Sequence, residues 1–119
     1  MRKLILATAF LAAGCVAAVA GGDVGGSYDV KGTNLDGSKY SGTAEITVTS
    51  KNTCRIEWKT GGSSSSGICM RNGIALAAGY QLNGAVGLVI YEIKDDGSLD
   101  GLWTIADTDG VGTELLTPQ

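Results

Sequence analysis

Residues able to do chemistry are few in this chain, and one kind is missing altogether. The 119 residues include no histidine, which removes Ser-His-Asp and Cys-His catalysis and the usual histidine-bearing zinc sites. Glu45 and Glu57 could form the carboxylate pair of a glycosidase. Each falls on the polar side of an alternating run, however, where nothing sets one apart as an acid. Asp95, Asp96 and Asp100, and again Asp107 and Asp109, crowd carboxylates in a way that suggests calcium. Neither run has the one-three-five ligand positions and distant Glu of an EF-hand, so both read as turn carboxylates. Ser63, Ser64, Ser65 and Ser66 lie in a Gly/Ser tract with no base nearby. The chain reads as non-enzymatic, with no cofactor and no metal implied.

Aromatic and sulfur chemistry remains. Tyr28, Tyr40, Trp58, Tyr80, Tyr91 and Trp103 all fall on one side of their alternating segments, the inner side of a curved sheet. Rings with polar handles suit a ligand pocket, because a buried hydroxyl or indole N–H needs a partner. Eight strands can fill with side chains or hold one small ligand, and a chain this short favours a filled interior. Cys54 and Cys69 are expected to form a disulfide. Closing a 15-residue loop is worth about 3 kcal/mol in the chain-entropy model.

Arg2 and Lys3 precede an apolar run that ends in Ala18-Val19-Ala20, the order of a secretory signal peptide spanning residues 1–20. The run is too short and wrongly flanked for a membrane span. A second reading takes Leu11-Ala12-Ala13-Gly14-Cys15 as a lipobox, with a lipoprotein anchored through Cys15. The first fits better, because the lipobox reading leaves an apolar new N-terminus. Residues 21–119 then form one domain, periplasmic or secreted, where thiols oxidise. Removing Arg2 and Lys3 leaves seven bases against twelve acids. That acidic balance argues against nucleic-acid binding, which needs a basic surface.

Period-two alternation dominates the rest. It runs through residues 28–31, 40–49 and 54–59, returns with Ile74, Leu76, Ala78 and Tyr80, then with Leu99, Gly101, Trp103 and Ile105. A last strand covers residues 111–116. Asp36-Gly37, Asn72-Gly73, Asn83-Gly84, Asp96-Gly97 and Asp109-Gly110 are hairpin signals. Gly21-Gly22 and Gly25-Gly26 read as a loose N-terminal lead. A hairpin of residues 54–59 and 64–69, with a four-residue tip, places Cys54 opposite Cys69, Ile56 opposite Gly67 and Trp58 opposite Ser65. The repeated Asp-Gly-Ser at 36–38 and 96–98 reads as shared turn chemistry or a duplication. About eight short strands in consecutive hairpins predict an all-β, up-and-down meander barrel. A two-sheet sandwich is the alternative.

One segment breaks the alternation. Residues 85–93 are apolar on both faces, so with Tyr91 inward, Val86, Leu88 and Ile90 point outward, beside Ala75, Ala77 and Leu102. Such a patch marks an interface, for a homodimer or another protein.

Gly26-Ser27-Tyr28-Asp29-Val30-Lys31-Gly32, the segment from Cys54 to Cys69, Gly87-Leu88-Val89-Ile90-Tyr91-Glu92-Ile93, Asp96-Gly97-Ser98-Leu99-Asp100-Gly101-Leu102-Trp103-Thr104 and Gly112-Thr113-Glu114-Leu115-Leu116-Thr117-Pro118 together resemble short exported bacterial proteins labelled fibronectin-binding protein. That resemblance implies adhesion to a host matrix protein. The barrel plan and the Gly26-Ser27-Tyr28 opening are similar to avidin and lipocalin barrels, whose tryptophan-rich ligand motifs are missing here. Gly37-Ser38-Lys39-Tyr40-Ser41-Gly42 resembles a motif of periplasmic lysozyme inhibitors, whose second signature motif is absent. The leading expectation is an exported, non-catalytic protein acting by protein–protein contact. The alternatives are a small-molecule-binding barrel and a lysozyme inhibitor.

Overall fold

The computed structural model describes residues 22–119; the signal-peptide boundary and Cys15 lie outside the described residues. Among the described residues eight strands follow one another: β1 (Gly26–Thr33), β2 (Lys39–Val48), β3 (Thr53–Thr60), β4 (Ser63–Asn72), β5 (Ala75–Leu82), β6 (Ala85–Ile93), β7 (Leu99–Ile105) and β8 (Gly112–Pro118). Each pairs antiparallel with the next, and β1 pairs with β8, so the sheet is a closed up-and-down barrel. That last ladder, from Tyr28 opposite Pro118 to Thr33 opposite Thr113, rules out the sandwich. Closure leaves no strand edge for another chain to extend.

Alternation builds the interior. Val30, Ile56, Leu76, Tyr91, Leu99 and Leu116 are essentially inaccessible, while intervening residues such as Glu45 and Glu57 face water. Two residues placed inside by the alternating pattern lie outside. Ile74 belongs to the β4–β5 turn and is 61% exposed, and Val48 ends β2 at 39%. The turn consumes Ile74 before the pleat begins, so the inward series starts at Leu76.

The β3–β4 hairpin has the expected register: Cys54 opposite Cys69, Ile56 opposite Gly67, Trp58 opposite Ser65. Its tip is shorter than expected. Thr60 pairs with Ser63, leaving only Gly61 and Gly62 as the turn, with φ of 57° and 83°. Two successive positive φ values make the type I′ geometry that matches strand twist. Cys54 and Cys69 are bonded, with Cα atoms 4.9 Å apart and both side chains buried.

Large-opposite-small pairing extends around the barrel. Tyr40 is the cross-strand partner of Gly32, Tyr80 of Gly87, Tyr91 of Gly101 and Trp103 of Gly112. Each ring lies over its glycine so closely that a methyl group there would overlap it. Aromatic cover of a glycine is a recurrent device of curved sheets. It also sets where these four rings point.

The two ends of the barrel differ. The meander places the β2–β3, β4–β5 and β6–β7 turns at one end, with the start of β1 and the end of β8. The N-terminal lead is not loose there. Val24 is buried, its carbonyl accepts from the Tyr28 hydroxyl at 2.6 Å, and the Gly22 carbonyl accepts from Arg71. At the other end the four odd-to-even turns surround an opening.

A candidate ligand cavity at the open end

Glycine on two neighbouring strands makes room for one buried carboxylate. In β8 the inward series is Gly112, Glu114 and Leu116. Glu114 lies between Gly101 of β7 and Gly32 of β1. Those glycines are covered by the rings of Tyr91 and Tyr40, one from each side. Both hydroxyls therefore converge on Glu114. Tyr40 donates to Oε1 at 2.7 Å, Tyr91 donates to Oε2, and the Trp58 indole donates to Oε2 at 2.8 Å from β3. Glu114 is only 7% exposed.

Three donors suit a carboxylate, which accepts only and offers about four lone-pair positions. Among the described residues no Lys or Arg pairs with it; the ion pair present there is Lys94 with Glu92 at 3.5 Å. The surrounding phenols respond. Burial, and after it the Glu114 charge, raises Tyr40 and Tyr91 well above the usual phenol range and pushes Tyr80 up to about 12.

Above Glu114 a cavity of about 200 Å³ opens between the odd-to-even turns. Tyr40, Trp58, Tyr80 and Trp103 form much of its wall, with Ser65, Leu82 and Val89, and Asn34 and Ser63 lie nearer the rim. The rings brace one another in two edge-to-face pairs. Trp58 and Tyr80 have centroids 5.3 Å apart, and Tyr40 and Trp103 6.4 Å. The Tyr80 hydroxyl donates to the Thr104 carbonyl at 2.9 Å, which fixes that ring. The Trp103 indole N–H is buried without a partner. The interior is therefore not completely filled, contrary to expectation, and the unfilled part lies at one end.

The six aromatic residues singled out from sequence separate into three groups. Tyr40, Trp58, Tyr80 and Trp103 line the cavity. Tyr91 is buried behind it and reaches it only through Glu114. Tyr28 points to the sealed end, held by Val24. Glu114 was not identified from sequence, although the spacing of Gly112 and Leu116 within an expected strand puts residue 114 inward.

Of the expected turn carboxylates, Asp95, Asp96 and Asp107 lie in turns and Asp109 in the loop that follows, whereas Asp100 lies in β7 opposite Glu92, because the strand begins at Leu99. Asp36 accepts from the Ser38 backbone N–H at 2.9 Å and its hydroxyl at 2.7 Å, and Asp96 makes the same pair with Ser98 at 2.9 and 2.6 Å. Those hydrogen bonds hold both carboxyls below the usual range. No group of His, Cys, Asp or Glu among the described residues could hold a metal ion. Ser38 completes the Asp36 turn, and Lys39 to Gly42 run within β2 with Tyr40 inward. No protruding loop is formed by that motif.

Outside, Val86, Leu88 and Ile90 are exposed as expected, Ala77 is exposed, and Ala75 is half-buried. The apolar surface reaches further than the sequence indicated. Met70, Ala77, Ile90 and Leu102 form one cross-strand row over β4 to β7, and Ile68, Gly79 and Leu88 form the next. Ala77 and Gly79 make a trough between ridges of larger side chains.

No family model matches the chain, and no curated protein matches it. Solved structures of similar shape exist. A redesigned β-barrel is 17% identical with a TM-score of 0.69, covering 81% of this chain and 91% of that one. The redesigned barrel mFAP1, bound to DFHBI, is 16% identical with a TM-score of 0.66, covering 77% and 93%. A point mutant of the fluorescent protein UnaG is 13% identical with a TM-score of 0.52, covering 79% and 94%. At these identities the likeness defines the class, a small up-and-down β-barrel.

Proposed function

We propose that the protein is a non-catalytic, exported binding barrel that holds a small molecule in its open end. The observation that carries this is Glu114, buried at the cavity floor and fixed by Tyr40, Tyr91 and Trp58. A buried charge without a counter-ion is rare in a purely structural interior, whereas pockets combine apolar walls with a few placed polar groups. Two barrels of similar shape support the reading in kind: one is bound to DFHBI, and one is described as a designed fluorescence-activating barrel. The bonded Cys54 and Cys69 support an oxidising compartment.

Both tryptophans of the chain, Trp58 and Trp103, line the cavity, so intrinsic fluorescence reports on it directly. Native mass spectrometry of protein from its own source should find a retained small molecule whose removal shifts that emission. Protein without any adduct, and with emission unmoved across a broad small-molecule library, would contradict the proposal.

The outer apolar face supports a second reading, contact with another copy of this chain. Ile68, Met70, Val86, Leu88, Ile90 and Leu102, with Ile74 and Val111, are each more than half exposed. Together they present on the order of 800 Å² of surface, what one partner brings to a standard interface and more than the roughly 300–600 Å² patch of a typical monomer. Ridges beside a trough of Ala77 and Gly79 can fit their own two-fold copy. Sedimentation should give a dimer that Leu88→Asp converts to a folded monomer. A wild-type monomer at high micromolar concentration ends this reading; binding to immobilised fibronectin by that monomer would favour matrix adhesion instead.

A further inference from the structure

We infer that the cavity selects a small organic cation, an alkylated ammonium group on a short apolar body; this inference rests on the small-ligand reading above. Charge is the first reason. Among the described residues, Glu114 is the only formally charged one lining the cavity, and no Lys or Arg lines it. An anionic ligand would bring a second negative charge against a buried, unpaired carboxylate, which costs heavily away from water. A neutral ligand would leave that carboxylate uncompensated. A cation supplies the missing counter-charge.

The walls are the second reason. Tyr40, Trp58, Tyr80 and Trp103 surround the space above Glu114, and aromatic rings attract a cation within about 6 Å of their centroids. A cluster of rings that attracts the cation and one carboxylate that balances it are complementary. The rings also suit an alkylated ammonium better than a bare one, because methyl groups replace water at little desolvation cost.

Size and hydrogen bonding narrow the class. At about 200 Å³, the cavity is smaller than the ~300–1,000 Å³ pockets that bury a drug-sized molecule. It fits a compact head group whose remainder extends past Asn34 and Ser63. Three of about four acceptor positions on Glu114 are taken, two on Oε2 and one on Oε1. Oε1 keeps a position for a tertiary ammonium N–H.

The test titrates four probes against tryptophan emission and the two indole N–H resonances at constant ionic strength. These are tetramethylammonium, choline, 3,3-dimethylbutan-1-ol (the neutral isostere of choline) and 3,3-dimethylbutanoate. Both cations should bind saturably, the neutral alcohol about tenfold or more weakly, as expected for loss of a desolvated cation–π and charge contact, and the anion not at all. Glu114→Gln should narrow that preference by weakening the cations several-fold, leaving the share that the wall rings supply. Because Glu114 is buried, Tyr80→Leu is the companion variant. It removes one wall ring and should weaken the cations several-fold, with the fold checked by circular dichroism. Equal binding of alcohol and cation, or tighter binding of the anion, overturns the cation inference and leaves the small-ligand reading standing. If no probe binds, a retained native ligand that is neutral or anionic overturns the inference alone. A retained ammonium compound supports it. No probe binding and no retained ligand overturn both.

Discussion

Asp36-Gly37-Ser38 and Asp96-Gly97-Ser98 make the same turn at opposite ends of the barrel, with the same carboxylate accepting from the same serine groups. Ser98 is buried and Ser38 is exposed. The turns do not cause that difference; the chain laid around them does. At the sealed end, residues 22–25 bring Val24 into the interior, and Gly97 lies against Pro118 of the last strand. Leu76, Leu99 and Leu116 pack without accessible surface. At the open end, large rings stand over glycines and lean on one another, leaving a gap with a carboxylate at its floor. Aliphatic side chains and a disulfide stabilise one end so that the other can stay unfilled. Stability and binding have been given separate halves of one small barrel.

Mutations in the two halves should behave differently. The largest effect is expected at the sealed end, where Leu99→Ala should cost about 2–5 kcal/mol by urea denaturation, the usual range for a buried leucine. Its tryptophan emission should stay native in the folded form. A loss below about 1 kcal/mol, well under that range, would mean this end is not the stabilising one. Replacing Cys54 and Cys69 together by serine should cost about 3 kcal/mol, the estimate for a 15-residue loop, again without moving the cavity tryptophans in the folded state.

At the open end, Gly112→Ala should displace the Trp103 ring, at a cost of about 1–3 kcal/mol for overpacking. It should also alter tryptophan emission, which the sealed-end variants leave unchanged. A native spectrum with native stability would show that the ring does not depend on its glycine. The smallest effect belongs to the outer wall. Glu45 and Glu57 sit directly opposite one another on β2 and β3, and like charges so placed repel. Glu45→Lys should stabilise by a few tenths to about 1 kcal/mol, falling with added salt.

The open end also carries a pH signature. Tyr40, Tyr80 and Tyr91 have pKa values raised in the folded state, by burial first and Glu114 second. The folded protein therefore keeps protons that the unfolded chain releases near pH 10. Stability from this source is whole below about pH 10 and is lost as pH climbs toward the folded values. Phenolate absorbance should appear late and together with unfolding. In Glu114→Gln the tyrosines should titrate earlier than in the parent, yet still above the usual phenol range. An unchanged titration would show that Glu114 does not act on them.

Much of this fold could be read from residue order alone. Strict alternation with Asn-Gly and Asp-Gly turns specified the meander, and counting across residues 54–69 specified the disulfide register. The outward Val86, Leu88 and Ile90 followed from Tyr91 facing inward. The cavity was harder to read. Whether an eight-stranded interior fills depends on which inward positions are glycine and on where each ring falls relative to them, a property of cross-strand pairs that are distant in sequence. Gly32, Gly101 and Glu114 become neighbours only when β1 meets β8 and β8 meets β7. The N-terminal lead misled for a related reason. Its glycines suggest looseness, but Val24 has a hole to fill that only the closed barrel creates.

The asymmetry between the ends can be measured most directly by solvent paramagnetic relaxation, using a small neutral nitroxide in water and reading inward-facing side chains by NMR. We predict strong relaxation at Trp103, Tyr80 and Leu82 and almost none at Val24, Leu76 and Leu99. Equal protection at both ends would mean that the interior is filled throughout, and the cavity, its carboxylate floor and the ligand would all have to be abandoned.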